Sequence, residues 1–257
     1  YPAIICLKIK NPYDNTGDSF YDRIFQNKKI GSQVNVISDY YSNGQLMIGI
    51  EAADIIELES ILSKYKTVIF EHLNKSIHDN LIDSYSKIPS NHAMINNIKN
   101  KYDLELLIDH NYEYIVDSNS LTWIGRGFPS LGDPIRWIII KEIDKCVDPK
   151  ICLNMIQEVF NEAISDSNYL SISSPYDRNS YKYIYNNNYI IGGTYIYSNV
   201  LIDDGRLDTI PKAGGPYISY IYNKDEQSIL LLGLINNPGN DKMIYLKQME
   251  AIFREVK

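Results

Sequence analysis

The chain has 257 residues and a formal net charge of −7, and its 44% apolar and 22% charged composition excludes collagen-like and wholly disordered proteins. The acidic balance argues against a nucleic-acid binder, because phosphate recognition needs a concentrated basic face and the longest basic run is Lys28-Lys29. The longest apolar run, Ile229–Ile235, is too short for a membrane helix, so the sequence predicts no transmembrane segment.

The first part of the chain predicts strands followed by helices. Strands are expected at Ala3–Lys10, Gln33–Ser38 and Gln45–Glu51, with a polar loop at Pro12–Gly17 and a short helix or turn at Ser19–Phe25. The Asn43-Gly44 dipeptide favours a tight hairpin. Asp54 is expected to cap a helix whose apolar residues recur at three and four up to Ile69. A second helix is expected to begin near Asn91.

From Leu104 the apolar period changes to two, which predicts a meander of strands at Leu104–Ile108, Glu113–Asp117, Leu121–Arg126 and Ile135–Ile143. A helix at Ile151–Ile164 and a long polar surface excursion at Ser165–Gly193 follow. The chain is then expected to close with a strand at Thr194–Leu201, a Gly-Gly-Pro turn, two strands and a helix at Met243–Val256. Short turns between consecutive strands predict an α+β fold, with a mostly antiparallel sheet and helices packed on one face.

A weak internal repeat is visible. The segment Gln33–Phe70 is echoed by Pro216–Val256, with the two apolar runs each containing one glycine. Two pseudo-repeated ββα halves would explain this pattern, and so would two unrelated ββα units. The sequence predicts a single α+β domain over residues 1–257, with two lobes, 1–103 and 104–257, as the alternative.

The C-terminal block combines the Gly-Gly-Pro motif and an aromatic strand (Ala213–Tyr220), an apolar strand (Ser228–Leu234) and a helix (Tyr245–Phe253). This block, together with Asn43–Ile48, Leu121–Ile124 and Ser173–Tyr176, resembles a family of Bacteroidota envelope lipoproteins known as a domain of unknown function, number four-eight-three-seven. The mid-chain segment departs from that family, because it is rich in Asn and Tyr where an Arg-Asp pair is expected.

The resemblance implies a compartment and no chemistry. It implies a protein on the periplasmic side of the cell envelope, lipid-anchored to the outer membrane in its full-length form. Cys6 lacks the preceding small residues of a lipobox, so an anchoring cysteine would have to lie upstream of Tyr1. The partners implied are envelope proteins or an outer-membrane complex.

Two groups of residues are candidate binding sites. Arginine and aromatic residues on a loop shaped by Gly and Pro are typical of protein interfaces and of glycan or peptide grooves. The first group therefore comprises Trp123, Arg126, Phe128, Arg136 and Trp137. A buried Trp pair with an Arg–Asp bridge on the surface is the alternative, and it is the preferred interpretation. The second group comprises Gly214, Gly215, Pro216 and Tyr217, whose paired glycines could cradle an anion, although a structural turn explains them better.

No motif predicts catalytic residues, metal ligands or a cofactor. The four histidines lack metal-ligand spacing, and no serine lies in a nucleophile elbow. The acidic residues Asp203, Asp204 and Asp208 do not fit a calcium loop. For Cys146 and Cys152, buried thiols are favoured over a local disulfide.

The sequence favours a non-enzymatic envelope protein that acts through protein–protein contacts in an outer-membrane or cell-surface assembly. A hydrolase or lyase acting on an envelope polymer is the second hypothesis, with Asp133, Asp177, Arg126, Arg136 and Arg178 in a cleft. It would require a carboxyl group with a raised pKa. A glycan- or peptide-binding module built on the Trp/Arg loop is the third hypothesis.

Overall fold

The computed structural model describes residues 3–10, 18–25, 33–128, 131–163, 168–172, 181–185, 188–203, 206–224 and 226–256. The chain divides into two compact units, Tyr1–Ser84 and Tyr85–Lys257. The division falls inside a long helix, whereas the sequence placed its alternative boundary after residue 103. A single domain over the whole chain stays a prediction.

The first unit is a small sheet between two helices. Its elements are β1 (Ala3–Ile9), α1 (Asp18–Phe25), β2 (Val34–Ser38), β3 (Leu46–Ala52) and most of α2 (Ile55–Ser86). The strand order is β1-β3-β2, with β1 parallel and β2 antiparallel to the central strand. The predicted cap of α2 is confirmed, because the Glu57 N–H donates to the Asp54 carboxylate at 2.8 Å. The loop predicted at Pro12–Gly17 lies outside the described residues.

Strand β3 carries the core of this unit on both faces. Ile48 and Ile50 pack with Leu58, Ile61 and Ile69 of α2. Met47 points to the other face, where a second cluster contains residues of α1. This alternation is the two-residue period of a strand that is buried on both sides.

The second unit contains a large antiparallel sheet and three further helices. Its elements are α3 (His92–Tyr102), β4 (Glu113–Asp117), β5 (Thr122–Arg126), β6 (Ile135–Asp144), α4 (Pro149–Ala163), β7 (Asn168–Ile172), β8 (Tyr181–Tyr185), β9 (Asn188–Asp203), β10 (Arg206–Asn223), β11 (Gln227–Asn236) and α5 (Met243–Arg254). The strand order is β4-β5-β6-β11-β10-β9-β7, and β8 also pairs with β9. The predicted α+β class is confirmed.

Helices cover both faces of this sheet, so the predicted one-sided arrangement is wrong. Ile138 and Ile140 of β6 face a cluster that includes α3 and α5. Ile139, between them, faces α4. The apolar run in β6 is continuous because both faces are buried, and such a run does not reveal how many faces helices cover.

Two predicted elements of this unit are corrected. Residues 104–108 are extended but form no strand, although Leu104, Leu106 and Ile108 are buried. Their period of two is real, but among the described residues the nearest pairing is an isolated bridge between Ser90 and Asp109. The surface excursion predicted from Ser165 to Gly193 contains β7, β8 and the first part of β9 in its described part.

The Gly-Gly-Pro motif is not a turn. Gly214, Gly215 and Pro216 lie inside β10, opposite residues 194–196 of β9. A Cβ atom on Gly215 would overlap the carbonyl oxygen of Ile235, so glycine is required here by close backbone approach. Pairing between β10 and β11 begins immediately after Pro216, which has no N–H to donate.

Cys146 and Cys152 form a disulfide, with their Cα atoms 5.6 Å apart. This corrects the preference for two buried thiols. The bridge joins the segment after β6 to the first turns of α4, and the Cys146 N–H also donates to the Ser228 hydroxyl at 3.1 Å. Cys6 is a free thiol.

The internal repeat is not confirmed. Each unit contains an antiparallel strand pair followed by a helix, but the aligned glycines differ in their surroundings. Gly49 lies against Phe25 of α1, the helix before the strand pair, whereas Gly233 lies against Met249 of α5, the helix after it. The aligned positions therefore face non-equivalent helices.

Candidate functional site

Strands β5 and β6 separate the first predicted group of residues into two sets. Side chains alternate along each strand, so Trp123 and Trp137 point to the α4 face. Arg126 and Arg136 are paired with each other across the two strands and point to the face that carries α3 and α5. One site that uses both tryptophans and both arginines is therefore not formed.

The two tryptophans pack against each other. Their ring centroids are 5.2 Å apart in an edge-to-face arrangement, and both rings are partly buried beside the α4-side core. The indole N–H of Trp123 is buried without a hydrogen-bond partner in the described part of the chain. The pair is part of the packing between β5, β6 and their neighbours.

The arginines form an ion-pair network that we call the Arg–Asp cluster, comprising Asp109, Arg126, Asp133 and Arg136. Arg126 donates from Nη1 to the fully buried carboxylate of Asp109. Arg136 donates from Nη2 to Asp133 Oδ1 at 2.6 Å, and Arg126 Nη2 lies 3.8 Å from Asp133 Oδ2. Two positive and two negative charges thus balance in a cluster where both arginine side chains are largely buried.

Hydrogen bonds hold Asp109 in its charged form. Burial tends to raise the pKa of the Asp109 carboxyl, but hydrogen bonds from the Tyr85 hydroxyl and the Asn111 backbone N–H, together with the Arg126 charge, outweigh it and lower the pKa. The Tyr85 hydroxyl donates to Asp109 Oδ2 at 2.7 Å, and burial raises the pKa of Tyr85, so this donor stays protonated. A general acid would need the opposite shift at its carboxyl group.

Two tyrosines cover the guanidinium groups. The Arg126 guanidinium lies 5.9 Å from the ring centroid of Tyr112, and that of Arg136 lies 5.1 Å from the ring centroid of Tyr245 in α5. Sequence analysis missed Asp109 and both tyrosines as partners. No local signal identifies them, because these contacts join residues that are far apart in the chain.

The cluster supports a loop with exposed apolar side chains, which we call the contact loop (residues 127–134, with 129–130 outside the described residues). The side chain of Phe128 is 59% exposed and that of Leu131 is 81% exposed. The backbone is closed at the base of the loop, because the Leu131 N–H donates to the Phe128 carbonyl at 2.8 Å. Asp133 belongs to this loop and ties it to both arginines.

The first turn of α5, which contacts the Arg–Asp cluster, also carries exposed apolar side chains. Tyr245 contacts Arg136, and Arg136 is bonded to Asp133 of the contact loop. The two residues that precede Tyr245, Met243 and Ile244, are both exposed. Exposed apolar side chains around a set of ion pairs are typical of a protein-contact surface.

The second predicted group lies in the interior of the sheet. Gly215 faces the ring of Tyr195, whose hydroxyl donates to the Ile235 carbonyl at 3.2 Å. Tyr217 is completely buried in the α4-side core. Gly214 is exposed and Pro216 half-buried, and both belong to the β9–β10 ladder.

Within the described ranges, no group of three or more His, Cys, Asp or Glu side chains is placed to share a metal ion. None of the described helices combines the length and hydrophobicity of a membrane-spanning helix. Asp177 and Arg178, named in the hydrolase hypothesis, lie outside the described residues.

The sequence of residues 91–255 matches the family model "Domain of unknown function (DUF4837)". This range is well over half of the chain. The chain belongs to this family. The matched range begins at Asn91, the N-cap of α3, and ends at Glu255, the C-cap of α5. It therefore covers most of the second unit and includes the Arg–Asp cluster.

No curated protein matches the chain. Solved structures show only distant likeness. LpqN, "involved in cell envelope biogenesis of Mycobacterium tuberculosis", is 11% identical, with 60% of this chain and 82% of that chain covered and a TM-score of 0.32. The human StarD13 lipid transfer and protein localization domain is 10% identical (63% and 94% covered, TM-score 0.27). Human STARD10 is 8% identical (66% and 82% covered, TM-score 0.28). These scores carry no argument about fold or function.

Proposed function

We propose that this protein is a non-enzymatic envelope protein that faces the periplasm and acts through protein–protein contacts in an outer-membrane or cell-surface assembly. The observation that carries the proposal is the contact loop, whose Phe128 and Leu131 are exposed and whose Asp133 is bonded to the Arg–Asp cluster. The backbone beside these side chains is anchored by the Asp133–Arg136 bond and by the hydrogen bond from the Leu131 N–H to the Phe128 carbonyl. Side chains on an anchored backbone lose less conformational entropy on binding, so more of their burial energy contributes to affinity.

The compartment is supported by two observations. Family membership agrees with the resemblance to envelope lipoproteins, which implies a periplasm-facing protein with a lipid anchor at the outer membrane. The disulfide between Cys146 and Cys152 is typical of an oxidising compartment, because cytosolic thiols are kept reduced. Alkylation of the denatured protein under non-reducing conditions should therefore leave both cysteines unmodified, because unfolding exposes any free thiol. Recovery of both as alkylated thiols would contradict a periplasmic location.

The contact proposal is tested by crosslinking the full-length protein in native envelopes and identifying co-purifying proteins by mass spectrometry. The variant Phe128→Ala/Leu131→Ala is expected to reduce partner recovery at least about tenfold, because buried aromatic anchors dominate interface energies. The matched control is Ile56→Ala at the start of α2, an equally apolar side chain that is 78% exposed. A protein without partners, or a double variant that retains them, would overturn the proposal.

The hydrolase hypothesis receives no support from the cluster. The pKa of the buried carboxyl of Asp109 is lowered rather than raised, and Asp133 is engaged by Arg136 at 2.6 Å. A buried carboxyl group with a lowered pKa, as at Asp109, is a poor proton donor. The cluster is therefore better suited to hold a loop in place than to transfer protons.

A further inference from the structure

The first unit contains a groove that is lined mostly by polar residue types and shares no residue with the contact loop. Its volume is about 390 Å³, within the range of small-molecule sites. One wall is the β2–β3 turn, and the other is formed by residues 72–80 of α2. The lining residues are Ser38, Asp39, Gly44, Gln45, Leu46, His72, Lys75, Ser76, Asp79 and Asn80.

Hydrogen bonds fix the two walls against each other. Asp39 has a left-handed backbone, with φ of 59°, and its carboxylate accepts the Gly44 N–H at 2.6 Å. The Asn80 side-chain amide donates to the Gly44 carbonyl at 2.6 Å and to the Ser76 carbonyl at 2.8 Å. Gly44 has a left-handed backbone, with φ of 76°, which favours glycine at this position of the turn. The groove is preformed.

The chemistry of the lining selects the class of ligand. Leu46 is its only apolar side chain, and a ligand that offers hydrogen bonds can use the donor and acceptor capacity that the polar lining residues retain. Asp39 and Asp79 outnumber Lys75, which is paired to Asp79 at 2.6 Å, so an anion is disfavoured. Within the described part of the chain, the imidazole of His72 makes no hydrogen bond and is available to a ligand.

A neutral ligand rich in hydroxyl groups satisfies such a lining, because each hydroxyl can both donate and accept a hydrogen bond. We infer that this groove between the β2–β3 turn and α2 is a binding site for a short, uncharged saccharide.

The test is a titration of the ¹⁵N-labelled full chain with chitobiose, maltose and cellobiose in turn, each to about 20 mM, which suits the millimolar affinities of small sites. At least one disaccharide is expected to shift the backbone amide signals of Asp39, Gly44 and Gln45. The double variant His72→Ala/Gln45→Ala is expected to weaken binding about tenfold or more, because it removes two hydrogen-bonding side chains. Lys66→Ala, an exposed α2 substitution outside the groove lining, is the control and is expected to change nothing.

Three results would overturn the inference. The first is that none of the disaccharides shifts the groove amides. The second is that a shift persists unchanged in the double variant. The third is that inorganic phosphate shifts the same amides while the sugars do not. The amide spectrum of the double variant also reports whether it is folded, so a loss of binding is distinguished from a loss of structure.

Discussion

Asp109 is the residue on which the second unit's polar interior depends. Its side chain is 0% exposed, and it accepts hydrogen bonds from Arg126, from Tyr85 and from its own chain at Asn111. A buried carboxylate with this many donors is stable as an anion, and its removal leaves the largely buried Arg126 without this ion pair, with the Asp133 carboxylate 3.8 Å away. Asp109 therefore stabilises Arg126, which in turn lies close to Asp133 of the contact loop.

Asp109→Asn is expected to lower the free energy of unfolding by about 3 kcal/mol, because one member of a buried ion pair is lost. Urea denaturation measures this change. The matched control is Asp103→Asn, the same substitution at an 88% exposed carboxylate paired with Lys224, which should cost less than about 1 kcal/mol. Equal effects of the two substitutions would show that the buried pair makes no special contribution.

The same carboxylate predicts a pH dependence. Its folded-state pKa is lowered, so the stability that it contributes is present above the unfolded-state pKa, about 3.9, and is lost as pH falls through the folded value. The melting temperatures of wild type and Asp109→Asn should therefore differ most above about pH 5 and converge below about pH 4. Asp117 has a pKa lowered in the same direction, so the comparison with the variant is needed to isolate Asp109. A constant difference from pH 2 to pH 7 would contradict the assignment.

Among the elements, β10 contains glycines that the sequence predicted to form a turn. In the structure they permit close approach of neighbouring strands. Gly215 lets β10 approach β11 at Ile235 and lets the Tyr195 ring cover the strand. The aromatic residues after the Gly-Gly-Pro motif correctly predicted a strand. The two glycines and the proline of the motif itself, however, also fit a turn. Turn and close approach use the same residue types, so local sequence does not separate them.

Gly215→Ala is expected to destabilise the protein more than Gly233→Ala. The new methyl group meets the backbone carbonyl of Ile235 in the first variant, whereas in the second it meets Met249, a flexible side chain that can move. We expect about 2–3 kcal/mol for Gly215→Ala and about 1 kcal/mol for Gly233→Ala, measured by urea denaturation. The reverse order would show that β10 and β11 do not approach as closely as described.

For the whole molecule, the buried clusters indicate how the chain is partitioned. The described clusters of the first unit contain residues up to Leu73, and those of the second begin at Tyr85. Each unit therefore has a core of its own, and the family model begins at Asn91, close to the start of the second unit. The boundary suggested by sequence after residue 103 would separate α3 from the core into which it packs.

A fragment of residues 85–257 is expected to fold alone, with cooperative thermal unfolding and a dispersed amide spectrum. A fragment of residues 104–257 is the control, because it lacks Met94, Ile98 and Tyr102, which are buried in the second unit. The loss of three buried side chains is expected to exceed the free energy of unfolding of a typical domain, so this fragment should be unfolded or molten. An unfolded 85–257 fragment would favour a single domain over the whole chain.

The sequence by itself determined the α+β class, the cap at Asp54, the start of a helix near Asn91, the β4–β6 meander and the family, because helix periods, caps and hairpins are set by neighbouring residues. Only the tertiary structure decided which face of the large sheet each side chain occupies. It separated Trp123 from Arg126 and brought Asp109 to Arg126. Strand alternation defines two faces without saying which helix covers either, and ion pairs between distant segments form only when the sheet has been assembled.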